Sequence, residues 1–122
     1  MTIAEIHDFG VEVVFGYLQK EGHEIVSVHT DPAMNPQIVA KKDGQLEFIV
    51  VRTAVYPEKG ALDHQIRTKL INRALKAGAV CYFASVGIAN ASGTNDPEMS
   101  RAEKGAGFHV AYNGIELLHG LH

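Results

Sequence analysis

Side chains that could carry chemistry are spread along the chain rather than grouped in a known motif. His29 and Asp31 form a candidate metal-binding pair, but we favour a strand-end histidine beside a turn aspartate. None of the seven histidines forms a two-histidine spacing on one helical turn, so we predict no metal site. Cys81 lies in an apolar segment and is expected to be a buried structural thiol, because reactive thiols need accessible, electropositive surroundings. Ser85 has no histidine or carboxylate near it in sequence and is interpreted as a strand residue.

A row of basic residues lies on the second predicted helix. Lys69, Arg73 and Lys76 follow one another at four- and three-residue spacing, and Arg52 and Arg67 could extend the row. Such a row can contact phosphates, although a solvated helix face is the more common meaning. The net charge of −3 opposes a function based on general attraction to phosphate backbones. Nucleic acid therefore stays an open candidate partner.

The segment 87–107 is rich in glycine and polar residues, and most of it is predicted to be a long loop. It lacks the spacing of a phosphate-binding Walker loop and of a dinucleotide fingerprint. Loops of this length in compact domains are usually functional or mobile. A module that binds a small molecule or a protein through this loop is therefore one of the alternatives.

The composition is that of an ordinary globular domain. The 122 residues are 46% hydrophobic and 20% charged, which predicts one domain over residues 1–122. The single cysteine excludes an intramolecular disulfide framework. No apolar run reaches the roughly 20 residues that span a bilayer, and the N-terminus lacks a signal-peptide pattern. We expect a cytoplasmic protein that does not associate with membranes.

The apolar pattern of the first half predicts a helix followed by three strands. The helix ends near Gly22, and its buried face is expected to comprise Ile6, Gly10, Val13, Val14, Tyr17 and Leu18. The segment 24–29 is rich in β-branched residues and predicts the first strand. Segments 37–41 and 45–52 flank Asp43-Gly44, the turn that joins two antiparallel strands. The apolar run 48–51 indicates a strand that is covered on both faces.

The second half adds a helix, a strand and a C-terminal hairpin. The second helix is predicted over 61–77, with a buried stripe of Leu62, Ile66, Leu70, Ala74 and Ala77. A strand follows over 79–86. Segments 108–112 and 115–118 flank Asn113-Gly114 and predict a tight hairpin. The order α-β-β-β-α-β plus a hairpin predicts a mixed α/β domain of the α+β type around one sheet.

This order of elements resembles the restriction-endonuclease-like fold, and most closely the small Holliday-junction-resolvase-like predicted nucleases. In those proteins the first helix carries Gly-Glu-x-x-Ala, then Tyr-Leu and a glycine. Segments 10–18 and 22–25 occupy that place here, and 36–40 and 48–53 match their second and third strands. The likeness covers roughly the first 85 residues and rests on element order and apolar pattern.

The resemblance implies a Mg²⁺ site that this chain does not reproduce. Such nucleases place an Asp, a Glu and a Lys on the meander, often with a helical Glu, and their carboxylates hold the hard cation. The matching positions here are Gln37, Val50 and Arg52, and Val11 takes the place of the helical Glu. A neutral amide and an isopropyl group cannot supply the anionic ligands, so the motif is degenerate and no cofactor is predicted.

Displaced carboxylates are the alternative to a lost site. Asp31 and Glu12 could support a shifted Mg²⁺ site, and Glu47 is a third candidate. Strand alternation, however, directs Glu47 to the face opposite Val50. We favour Glu47 as a solvated hairpin residue and Asp31 as a turn or cap residue.

The leading hypothesis is a non-catalytic restriction-endonuclease-like domain that acts as a structural or binding module. A Mg²⁺-dependent nuclease with displaced ligands is the second hypothesis, and binding through the 87–107 loop is the third. A homodimer is expected, because the last hairpin would offer an exposed edge strand to its twin.

Overall fold

The computed structural model describes residues 2–55, 58, 60–90 and 108–119. Two helices and six strands occupy this part of the chain, in an α+β arrangement around one mixed sheet. In chain order they are α1 (Ile3–Lys20), β1 (Glu24–Val28), β2 (Ile38–Lys42), β3 (Gln45–Val55), α2 (His64–Ala77), β4 (Val80–Asn90), β5 (Phe108–Ala111) and β6 (Glu116–His119). None of the described helices combines the length and the apolar character that crossing a membrane requires.

Helix α1 is fixed at both ends by local hydrogen bonds. Thr2 and Glu5 form a reciprocal capping box at its start. At its end Gly22 takes a φ of 89°, and the backbone N–H of His23 donates to the carbonyl of Leu18 at 2.9 Å. This Schellman arrangement turns the chain directly into β1, as predicted from Gly22.

The buried face of α1 matches the predicted one at Gly10, Val14 and Leu18. The structure also buries His7 and Val11, whereas Tyr17 is 46% exposed. β3 approaches the helix closely at Gly10, where a Cβ atom would lie 1.7 Å from Thr53 Oγ1. That contact fixes which neighbours one turn away face the sheet.

The predicted hairpin between β2 and β3 is confirmed. Asp43 and Gly44 have φ values of 52° and 79°, and Lys42 pairs with Gln45 across the turn. β1 completes the antiparallel meander by pairing with β2. β3 then pairs with β4 in parallel, and α2 lies between them in the chain.

Helix α2 begins at His64, later than predicted, because the carboxylate of Asp63 accepts hydrogen bonds from the N–H groups of Gln65 and Ile66. It ends at Gly78, whose φ is 69°. Leu70 and Ala74 are its fully buried residues, so the predicted stripe is confirmed at its centre, but Ala77 at its end is exposed.

The helices cover opposite faces of the sheet and create two cores. Ile49 and Val51 of β3 pack with the α1 residues, while Phe48 and Val50 pack with Leu70 and its neighbours on α2. Side-chain alternation along β3 therefore assigns successive residues to different cores. The apolar run 48–51 is covered on both faces, as predicted.

The predicted C-terminal hairpin is wrong. β5 and β6 do not pair with each other; both run antiparallel to β4 along the same edge, with Ala111 opposite Gly87 and Glu116 opposite Phe83. The segment 112–115 interrupts this edge strand instead of reversing it, because the eleven-residue β4 is long enough to pair with both pieces. β4 also continues to Asn90, past the predicted end at 86.

Candidate functional site

Gln37, which the resemblance aligns with the nuclease aspartate, joins the loop before β2 to β3. Its side chain is fully buried. Nε2 donates to the carbonyl oxygens of Asp31 at 3.3 Å and Met34 at 3.2 Å, and to Oδ1 of Asn35 at 3.0 Å. Oε1 accepts from the backbone N–H of Val51 at 2.8 Å. The amide is thus used entirely as a structural bridge.

Two arginines converge on Asn35. Arg52 donates through Nη1 to the carbonyl of Val51, and through Nη2 to Oδ1 of Asn35 at 2.9 Å and the carbonyl of Pro32 at 3.3 Å. Arg73 of α2 donates to the carbonyl of Asn35 at 2.5 Å. These bonds hold the loop against both the sheet and α2.

Lys69 lies beside Arg73 on the same side of α2. Both line a cavity of about 360 Å³ together with Pro32 and Asn35. We call Arg52, Lys69 and Arg73 the basic cluster. Arg67 and Lys76, the other two residues of the predicted row, are exposed on α2 and do not line this cavity.

The three degenerate motif positions lie on one face of the sheet. Ile38 pairs with Ile49, so Gln37 lies near Val50, and Arg52 follows on the same face. Val50 is fully buried in the core beneath α2. These three side chains offer no anionic oxygen, and the described residues hold no group of three or more histidine, cysteine, aspartate or glutamate residues suited to a metal ion.

Two of the displaced candidates, Asp31 and Glu12, lie in different places. Asp31 is exposed, and its Oδ1 accepts from the backbone N–H of Ala33 at 2.9 Å, the geometry of a turn residue. Glu12 lines a groove with Tyr17 of α1 and Val110 of β5. Since β5 and β2 lie on opposite sides of the β3–β4 pair, these contacts direct the two carboxylates toward different parts of the sheet.

The interpretation of Glu47 as a solvated residue is wrong. It is 4% exposed, and its Oε1 lies 2.6 Å from Nδ1 of His23. His23 is buried because the Schellman turn after α1 brings it over the sheet. The distance is short for an N···O contact, as expected of a charge-assisted hydrogen bond. Glu47 is thus committed to a structural pair at the start of β3.

The remaining candidates have structural environments. His29 is exposed, and its backbone N–H donates to the carbonyl of Gln37. Cys81 is fully buried, and this burial raises its pKa to about 11, so the thiol stays protonated at neutral pH. Ser85 Oγ donates to the carbonyl of Gly60 at 2.6 Å. Of the segment 87–107, residues 87–90 belong to β4 and residues 91–107 lie outside the described part.

A site that the sequence did not indicate lies between α1 and the end of β3. His7 and Thr53 both line a cavity of about 370 Å³, and Thr53 lies against Gly10, about one turn along α1 from His7. His7 is only 5% exposed, and neither its Nε2 nor Thr53 Oγ1 has a hydrogen-bond partner in the described part of the chain. Burial lowers the pKa of His7, and the charge of Arg52 lowers it further.

Comparison with protein families matches residues 4–118 to a family with the description Domain of unknown function (DUF8840). The match extends over nearly the whole chain, and the protein belongs to this family. Comparison with curated proteins gives no significant match.

Proposed function

We propose that this protein is a restriction-endonuclease-like domain that has lost its metal site and binds the phosphate backbone of nucleic acid through the basic cluster. The order α-β-β-β-α-β supports this proposal, as do an antiparallel meander and a parallel β3–β4 pair joined through α2. Fold likeness alone does not assign a function, so the argument rests on the site.

The convergence of Arg52, Lys69 and Arg73 on one loop carries the proposal. These cations lie at the end of β3 where the resemblance implies the substrate phosphate. Arg73 spends one of its five N–H donors on Asn35, and Lys69 is exposed beside it. A phosphate group could therefore accept hydrogen bonds from Arg73 and Lys69 without displacing the loop.

The same geometry favours binding without hydrolysis. Metal-dependent cleavage needs anionic oxygens to hold the ion that activates water. At the matching positions Gln37 is hydrogen-bonded on both sides of its amide, and Val50 is buried in the core. Arg52 brings positive charge to the place where a divalent cation would sit.

The test is fluorescence anisotropy on a labelled duplex and a labelled four-way junction at several salt concentrations. The Lys69→Ala/Arg73→Ala variant is expected to weaken binding and to lower the slope of log K against log salt by about two. Lys41→Ala/Lys42→Ala removes two exposed lysines at the far end of β2 and is the matched control. That control is expected to bind as the unmodified protein does.

Three results would overturn the proposal. Absence of salt-dependent binding to either DNA would remove its basis. Equal loss in both double variants would show that binding depends on net charge rather than on the basic cluster. Cleavage of either DNA in Mg²⁺ or Mn²⁺ would support the displaced-ligand nuclease, and Asp31→Ala would then identify its ligand.

A homodimer through the edge of the sheet is part of the proposal. In the described part of the chain, β5 and β6 pair with β4 on one side only, and Leu117 on β6 is 58% exposed. An apolar, half-paired edge is a surface for strand addition. Analytical ultracentrifugation should give a dimer for the unmodified chain and a monomer for Leu117→Lys; a monomer in both would refute this assembly.

A further inference from the structure

The cavity between α1 and β3 combines apolar walls with buried polar atoms that lack partners. Its volume of about 370 Å³ lies at the lower end of the range for small-molecule sites. The apolar part of the wall consists of Ile3, Ile6, Pro32, Ala54 and Val55. The polar part consists of His7, Arg52 and Thr53.

Two of these polar groups are left unsatisfied. His7 Nε2 and Thr53 Oγ1 are buried without a hydrogen-bond partner among the described residues. A buried polar atom without a partner costs about 1–3 kcal/mol, so folded proteins hold only a few such atoms per roughly 100 residues. Here two occur in the same cavity, which indicates that its occupant supplies their partner.

The charge of Arg52 is also uncompensated. Its guanidinium is half-buried, and burial lowers its pKa. Its three hydrogen bonds all go to neutral oxygens, and no carboxylate of the described residues forms an ion pair with it. Two of its five N–H groups stay available. An anion at this wall would offset the desolvation of the guanidinium.

All three polar groups can donate hydrogen bonds at once. Arg52 is always a donor, the hydroxyl of Thr53 can rotate, and a neutral His7 donates in its Nε2–H tautomer. The lowered pKa of His7 keeps that neutral form at pH 7. Asp8 and Asp31 raise the pKa of His7, and each of them has a smaller effect than burial or the charge of Arg52. A ligand group with several hydrogen-bond acceptors satisfies all three donors together. A carboxylate is the smallest such group, and the apolar body attached to it can contact the apolar walls of the cavity.

We propose that this cavity binds a small monocarboxylic acid, with the carboxylate against Arg52, His7 and Thr53 and the apolar body against Ile3, Ile6 and Val55. Apart from Arg52, this site is lined by α1, Pro32 and the end of β3 rather than by α2, so it goes beyond the nucleic-acid function assigned to the basic cluster. The two sites share only Arg52 and the loop at Pro32.

The experiment titrates the full chain with hexanoate, hexanol and hexylamine, three probes that share one apolar body. Binding is followed by two-dimensional NMR at the resonances of His7 and Thr53. Hexanoate is expected to bind at least about tenfold more tightly than the alcohol or the amine, equivalent to about 1.4 kcal/mol. Thr53→Ala should weaken the binding of hexanoate by about tenfold. Thr53→Ser loses the same methyl group but keeps the hydroxyl, and it should retain most of the affinity.

Several results would overturn the proposal. Hexanoate that leaves the resonances of the cavity unmoved would show that no carboxylate binds there. Equal binding of hexanol would show an apolar cavity without a role for charge, and equal affinity of the Ala and Ser variants would remove Thr53 from the site. The Lys69→Ala variant, which keeps the hydrogen bond of Arg73 to the loop, is expected to weaken DNA binding and to bind hexanoate normally, so loss of DNA binding and loss of hexanoate binding are separate outcomes.

Discussion

The two ends of β3 treat their buried polar side chains in opposite ways. At the start of the strand, Glu47 and His23 lie 2.6 Å apart and satisfy each other in a nearly dry environment. At the end of the strand, His7 Nε2 and Thr53 Oγ1 are buried without partners, beside the half-buried charge of Arg52. Both ends lie on the α1 side, and the same helix covers them.

This difference distinguishes polar groups that stabilise the fold, such as Glu47 and His23, from polar groups that are available to a ligand, such as His7 and Thr53. A buried pair whose hydrogen bonds are satisfied rigidifies the fold. Removing one member leaves the other buried without a partner, at its full desolvation cost. An unsatisfied group already bears that cost in the free protein, so its removal costs little stability. Stability measurements at matched positions can therefore distinguish the two ends.

Glu47→Ala should give the largest effect and is the strongest test of the structural end. We expect the free energy of unfolding to fall by about 3 kcal/mol, because His23 keeps its place in the core without an acceptor. Urea unfolding measures the loss, and Glu24→Ala, an exposed carboxylate on β1, is the control. A loss below about 1 kcal/mol would mean that the pair behaves like a surface salt bridge.

The elements were predictable from the sequence wherever a local signal fixed them. Asp43-Gly44 adopts the positive φ angles of a tight hairpin turn, and Gly22 and Gly78 end their helices. The C-terminal hairpin failed because Asn113-Gly114 gives the same local signal, although the length of β4 decides the pairing. The residues of a turn indicate where the chain bends. The strand that is available for pairing determines whether the chain reverses its direction there.

The site was less predictable than the fold, because its contacts join distant segments. Glu47 and His23 are separated by 24 positions, and the sequence around either residue does not indicate that the two form a pair. The position of Thr53 beside α1 depends on the close approach at Gly10, whose only sequence signal is a glycine within a helix. The bridging role of Gln37 could not be foreseen, because its four hydrogen bonds go to residues of the preceding loop and of β3.

Gln37→Ala should give the next largest effect. It tests a second buried polar side chain whose hydrogen bonds are satisfied, near the end of β3 where His7 Nε2 and Thr53 Oγ1 lack partners among the described residues. We expect a loss of about 2 kcal/mol, because the N–H of Val51 loses its acceptor in the core and the loop 31–36 loses three hydrogen bonds. Chemical denaturation gives the value, and Gln65→Ala on the exposed face of α2 is the control. An unchanged stability would show that water replaces the hydrogen bonds of the amide and that solvent already reaches this region.

The pH dependence of stability tests His7 directly. Its folded-state pKa lies below the ordinary value of 6.5, so the unfolded chain binds a proton first as the pH falls. This contribution to stability is present above pH 6.5 and is lost as the pH falls toward the folded-state pKa. The unmodified protein should therefore lose more stability between about pH 7.5 and 5.5 than His7→Gln does. Equal losses would show that His7 reaches solvent or a partner when protonated.

The smallest expected effect comes from the hydroxyl of Thr53. Thr53→Ala and Thr53→Ser both remove the methyl group, so their difference reports the hydroxyl alone. We expect Thr53→Ala to be no less stable than Thr53→Ser in urea unfolding without added acid, because removing a buried hydroxyl that has no partner also removes its desolvation cost. If Thr53→Ser is more stable by about 1 kcal/mol or more, the hydroxyl has a partner in the free protein, and the two ends of β3 are alike. Hexanoate should separate the variants, since binding to the native state alone stabilises the one that binds more tightly.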